Sequence, residues 1–344
     1  MVATGAVDST SYVAILKCKQ AELHAVAATV SPNLVPLFEV RDPEANARSI
    51  VRAWQLSGQD IWVHPLNLDG FDPTTWVGKI SNAFSLLRSG NVSAVPVVTI
   101  DDDAGVLSTM ATVAATDSRG VVLRLEAEDV LTTSAAGLAA EVSGVMSALS
   151  VTESEVDLVL DVGLVRDSTA SRIATAESAL RSVPNLTGWR SCTVAFSAFP
   201  ESVGDVVQKN SVVQVARNDA QAYRALVARG PGRELTYGDY AVGVPTYADI
   251  AWSPIPSIRY TTDDTWAVHR AESRTNPSPQ YVALAGDLVR EPYFRGSGYS
   301  SGDAYLEAVA SGVDGPGNAT TYLRSAISHH LAVVLDRLAT HGVP

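Results

Sequence analysis

The sequence predicts an α/β chain: a (β/α)8, TIM-like barrel carrying a C-terminal α+β elaboration. Eight short apolar runs recur along it, starting at Tyr12, Leu34, Asp60, Ala94, Gly120, Asp157, Cys192 and Leu235. Stretches of helical spacing separate them, the alternation that builds a parallel sheet. Most runs are continuous rather than alternating, as strands covered on both faces require. A doubly wound open sheet could hold the same runs, but their even spacing favours closure.

Strand one is Tyr12 to Cys18, and a helix opens at Gln20. Strand two, Leu34 to Val40, ends in Arg41-Asp42-Pro43, where Asp42 and Pro43 form a cap and first-turn pair. Strand three is Asp60 to Pro65. The helix after it shows its apolar face at Trp76, Ile80, Phe84 and Leu87. Strand four, Ala94 to Ile100, runs into Asp101-Asp102-Asp103. Strand five is the run from Gly120 to Glu126, followed by a helix from about Thr133 to Leu149. Strand six, Asp157 to Val162, leads to a helix near Ser171 to Arg181. Strand seven is Cys192 to Ala198, and the helix after it stops at Gly230-Pro-Gly232. Strand eight is Leu235 to Val242.

The rhythm changes after Pro245, so residues 1–245 are read as the barrel core and 246–344 as an extension packed on it. Ile255 to Tyr260 and Trp266 to Arg270 suit a hairpin. Helices follow near Gln280 to Val289, after Gly302 and from Asn318 to Thr340, one of them serving as the eighth outer helix.

A net charge of −12 argues against a non-specific nucleic-acid coat, which needs many basic side chains on one surface. No apolar run is long enough for a membrane span, and the N-terminus has neither the basic flank nor the apolar region of a secretion signal. A cytoplasmic protein is expected. Cys18 and Cys192 read as buried reduced thiols.

In such barrels the working side chains sit at the strand C-terminal ends. Those ends supply Lys17 and Lys19, Glu39 and Arg41, His64, the triple Asp, Arg124 and Glu126, Asp161, Ser197 and Asp239. Lys17 with Lys19, Glu39 with Arg41, and Arg124 with Glu126 each share a strand face. One reading is an anion site: Lys17, Lys19, Arg41 and Arg124, with Asp239 and Arg259, bind a small phosphorylated or carboxylate ligand. Glu39, Glu126 and Asp161 then act as acid or base. On that reading Arg124→Ala abolishes binding and leaves the fold intact. The plainer reading pairs these charges with one another to plug the barrel top. No cofactor is expected; a hard cation such as Mg2+ is the metal that Asp101 to Asp103, Glu39 and Asp161, with His64, would suit, and no zinc motif is present. His330 shares a helical face with Leu323, Ile327 and Val334, which suits a packed core histidine.

Lys17-Cys-Lys19-Gln-Ala-Glu22, Pro36-Leu-Phe-Glu39, Phe199-Pro200, Tyr237-Gly-Asp239-Tyr240, Ile258-Arg259-Tyr-Thr261, Ser301-Gly-Asp303 and His329-His330 occur in that order. Together they resemble the bacterial and phage "beta protein" family over most of the chain. The resemblance implies an association with phages, prophages or bacterial defence and no defined reaction. Two functions follow as expectations. One is an enzyme acting on a small phosphorylated or anionic ligand such as a nucleotide. The other is a non-catalytic binding protein in phage–host conflict that recognises a partner protein or sequesters a signal molecule.

Overall fold

The computed structural model describes residues 7–54, 60–165, 168–247 and 254–344. Seven parallel strands follow one another round a ring: β1 (Tyr12–Lys17), β2 (Leu34–Val40), β3 (Asp60–Pro65), β4 (Ser93–Val98), β5 (Val121–Glu126), β6 (Val156–Leu164) and β7 (Ser191–Ser197). The chain then leaves the ring to form β8 (Ser211–Ala216). It returns with β9 (Thr236–Asp239), which pairs with both β7 and β1 and closes the predicted barrel. Outside the ring, β10 (Ser257–Thr261) and β11 (Thr265–Arg270) form the expected hairpin. β8 adds to it as a third, antiparallel strand. The sequence reading did not foresee β8: Ser211-Val-Val-Gln-Val-Ala216 has strand composition but lies within what reads as one barrel connection.

Around the ring run α1 (Gln20–Ala27), α2 (Pro43–Trp54), α3 (Pro73–Ser89), α4 (Ala104–Asp117), α5 (Ala127–Thr132), α6 (Ala135–Leu149), α7 (Thr169–Ser182), α8 (Val203–Val206) and α9 (Asn218–Ala228). The helix expected from about Thr133 to Leu149 is α6, and the short α5 before it was not expected. Thr133 is extended, and Ser134 starts α6 by accepting the Gly137 N–H. Asp72 caps α3 and Asp103 caps α4 in the same way. The C-terminal helices are α10 (Pro277–Leu288), α11 (Ser301–Ala310) and α12 (Ala319–His341). α12 packs on α1 and β1, and its Ile327, Leu331, Val334 and Leu338 join the main core, so it takes the eighth place in the outer ring.

Strand parity decides the layers. Val13, Ile15, Leu37, Trp62, Val95, Val97, Val122, Val159 and Ala195 fill the barrel interior, while their sequence neighbours face the helices. Gly238 is needed on the inner face of β9: a Cβ there would stand 2.9 Å from Thr193 Cγ2 and 3.1 Å from the Ala195 Cβ. Both cysteines are buried free thiols, and burial pushes the Cys192 thiol up to about 12. Among the described residues, no helix is long and apolar enough to cross a membrane.

Candidate active site at the barrel mouth

Continuing the inward parity to the strand ends places Lys17, Glu39, His64, Arg124 and Asp161 above the apolar filling. Arg124 organises the floor. Its Nη1 donates to Glu39 Oε1 and His64 Nδ1, both at 2.9 Å. Its Nη2 donates to Asp161 Oδ2 and the Tyr240 hydroxyl, both at 2.6 Å, and Nε reaches Asp161 Oδ2 at 3.2 Å. A guanidinium has five N–H groups, and all five are engaged. Tyr240 returns its own proton to Asp161, whose Oδ1 also accepts the Gly163 N–H at 2.9 Å.

Two consequences follow for the expected roles. Arg124 has no donor left for an anion, and Asp161 has no idle oxygen, so both hold the floor together. Because an arginine can only donate, His64 Nδ1 must accept and the ring proton lies on Nε2. Burial, reinforced by the Arg124 charge, drives His64 well below its ordinary pKa, which fixes it neutral. Glu39 differs from Asp161: its Oε2 is buried with no hydrogen-bond partner. Burial raises its pKa above the usual glutamate range, and the Arg124 charge offsets only part of that.

Above this floor lies a cavity of about 680 Å3 lined by Glu39, His64, Arg124, Asp161 and Tyr240, with Asp101, Glu126, Glu128, Asp129, Arg172 and Tyr247 higher up. Glu126 is exposed in the wall, and desolvation followed by Asp161 raises its pKa. Arg172 is bonded to Glu128 at 3.0 Å. Carboxylates therefore outnumber cations in the lining.

The expected basic residues gather elsewhere on the rim. Lys17, Lys19 and Arg41 lie 4.6, 6.0 and 5.8 Å from the centre of the Tyr247 ring, and Tyr247 donates to the Glu39 carbonyl at 3.1 Å. None of the three lines the cavity; Tyr247 does. Lys17 also donates to the Thr246 carbonyl, and Arg41 pairs with Asp69.

Asp239 and Arg259 are not brought to the mouth. Inward parity on β9 belongs to Gly238 and Tyr240, so Asp239 points outward between barrel and helices. There it accepts from Tyr12, from Tyr237 at 2.8 Å, from His330 Nε2 at 3.0 Å and from the Ala241 N–H at 2.8 Å. Fully buried Arg217 stands 3.9 Å from Asp219 and 4.0 Å from Asp239, and its three nitrogens have no hydrogen-bond partner. Burial raises Asp239, but His330 and Arg217 outweigh it and hold the carboxyl at about 2. Arg259 donates to the Val242 carbonyl at 2.7 Å with its guanidinium 4.5 Å above Phe199, bracing the turn after β9.

The triple aspartate divides its work. Asp103 caps α4, Asp102 accepts the Thr99 N–H at 2.8 Å, and Asp101 alone lines the cavity. Among the described residues no group of three or more His, Cys, Asp or Glu is placed to hold a metal. Burial raises Asp102 to about 6. A raised carboxyl weakens the fold as pH climbs through that value. Asp102→Asn is therefore expected to stabilise by about 1 kcal/mol at neutral pH and by nothing below about pH 4. Urea titrations across that range check it; a gain independent of pH would refute the assignment.

Tyr240 and Tyr247 were missed from sequence. Tyr240 was legible from parity, two residues beyond the inward glycine, whereas Tyr247 lies in a loop with no periodicity to place it.

Fold and mouth together define a closed (β/α)8 barrel whose acid-lined cavity rests on a buried arginine–carboxylate floor. Residues 12–336 match the family described as Beta protein, and the chain belongs to that family. No curated protein matches it. Among solved structures it is similar to the tryptophan synthase α-subunit of the hyperthermophile Pyrococcus furiosus, at 14% identity and a TM-score of 0.41, covering 68% of this chain and 89% of that chain. A mutant of that subunit gives 15% identity and a TM-score of 0.42 over the same shares.

Proposed function

We propose that the barrel mouth is an enzyme site for a small polar ligand carrying an anionic group, with Glu39 exchanging protons with it. The observation that carries this reading is Glu39 Oε2, a buried carboxylate oxygen without a partner at the floor of a cavity. Such an atom is costly unless a ligand donor meets it, and a raised carboxyl pKa suits acid–base work near neutrality. Glu126 is the second carboxylate. The anionic group is assigned to the rim cations Lys17 and Lys19 rather than to Arg124, whose donors are taken, or to Arg41, which is paired with Asp69. A compact phosphate or carboxylate fits better than a polyanion, which the acidic wall would repel.

Calorimetry against nucleotides, sugar phosphates and small carboxylates, followed by product analysis of whatever binds, tests the reading. Glu39→Gln is expected to lower turnover about 100-fold or more with the fold retained. The self-satisfied Arg124 floor favours a second reading, a non-catalytic binding protein in phage–host conflict. Silence across the panel, with tight binding to a protein partner recovered from cells, would select it.

A further inference from the structure

Building on the mouth as a ligand site, we infer that its ligand is bipolar, with an anionic group at the β1–β2 rim and an amine on the β5 side. In a closed ring of eight strands, β5 faces β1 across the barrel and β6 faces β2. Lys17 and Lys19 follow β1, gathered on Tyr247. On the facing wall stand Glu126 at the end of β5 and Glu128 and Asp129 in the first turn of α5, with Asp101 beyond β4. The acidic side chains therefore form one wall of the cavity, while the lysines stand outside its lining, behind Tyr247 at the opposite rim.

The acidic wall is not neutralised from within. Arg172 is bonded to Glu128, and Arg124 has spent every N–H on the floor. Glu126, Asp129 and Asp101 have no ion-pair partner among the described residues. Independently of that cluster, Glu39 Oε2 is a buried acceptor without a donor in the same cavity. A primary ammonium brings three donors and one positive charge, which matches an idle carboxylate oxygen below and an unpaired carboxylate wall beside it. A metal ion is the poorer match, since no three ligating side chains converge among the described residues. The cavity of about 680 Å3 has room for a compact molecule whose ammonium meets the acidic wall and whose anionic group extends past Tyr247 to the lysines at the rim.

Matched pairs that differ only in the amine test this. Calorimetry would compare phosphoethanolamine with ethyl phosphate, glucosamine 6-phosphate with glucose 6-phosphate, and glutamate with glutarate. In at least one pair the amine-bearing member is expected to bind about tenfold tighter or better, and Glu126→Gln to erase most of that difference. Glu126 is exposed, so this variant is expected to fold. Equal binding within every pair, or a preference for the amine-free member, overturns the bipolar ligand and leaves the mouth as an anion site. Binding by neither member of any pair removes the bipolar ligand and counts against the small-ligand reading as well.

Discussion

Arg124→Ala is expected to destabilise the protein by about 3–5 kcal/mol, the cost of leaving buried carboxylates without their cation. Glu39 and Asp161 are both almost fully buried, and Arg124 supplies Glu39 with its hydrogen bond and Asp161 with two. His64 and Tyr240 lose a donor in the same step. For a chain of this size the melting temperature should fall by roughly 4–7 °C. Sequence alone suggested the opposite, lost binding with an intact fold. The difference lies in the donor count, because an arginine with five engaged N–H groups supports structure before it can serve a ligand. Combining Arg124→Ala with Glu39→Gln and Asp161→Asn should recover part of the loss, since the stranded charges are then gone. An unchanged melting temperature in the single variant would show that the floor carries no weight.

Asp239→Ala is expected to be equally severe, about 3–5 kcal/mol, with ligand affinity per folded molecule unaltered. The carboxylate joins Tyr12 on β1, Tyr237 on β9 and His330 on α12, and it shares the buried Arg217 charge with Asp219. Removing it leaves Arg217 with a single counter-charge in an interior where none of its nitrogens is hydrogen-bonded. Because Asp239 is held at about 2, its stabilising effect is present above pH ~4 and lost as pH falls towards about 2. Asp239→Asn keeps the shape and should lose less at neutral pH while flattening that acid limb. Lost affinity at full stability would return Asp239 to the ligand site.

The barrel was legible because each strand is a continuous apolar run ending in charge, and closure followed from even spacing. Much of the floor was legible too: Glu39, Arg124 and Asp161 lie at run ends with inward parity. Which charges serve ligand and which serve one another was not, since that depends on distances between strands far apart in sequence. Asp239 was misplaced because its strand is short and flanked by other plausible residues, so a shift of one position exchanges mouth for helix layer. Lys17 and Lys19 were placed at the right strand, but Tyr247, which gathers them, comes from a loop more than two hundred residues away.

The detour that forms β8 also constrains how the chain is made. Residues 211–216 leave the ribosome well before the hairpin at 257–270 that they pair with, yet the barrel's last strand at 236–239 emerges between them. The ring can thus close while β8 still has a free edge, a row of unpaired backbone donors and acceptors without a charged side chain to guard it. A chain ending near Pro245 would keep that edge permanently bare. Such a fragment, which also lacks the core side chains of α12, should associate during synthesis, whereas the full-length chain pairs that edge with β11 as soon as its hairpin arrives.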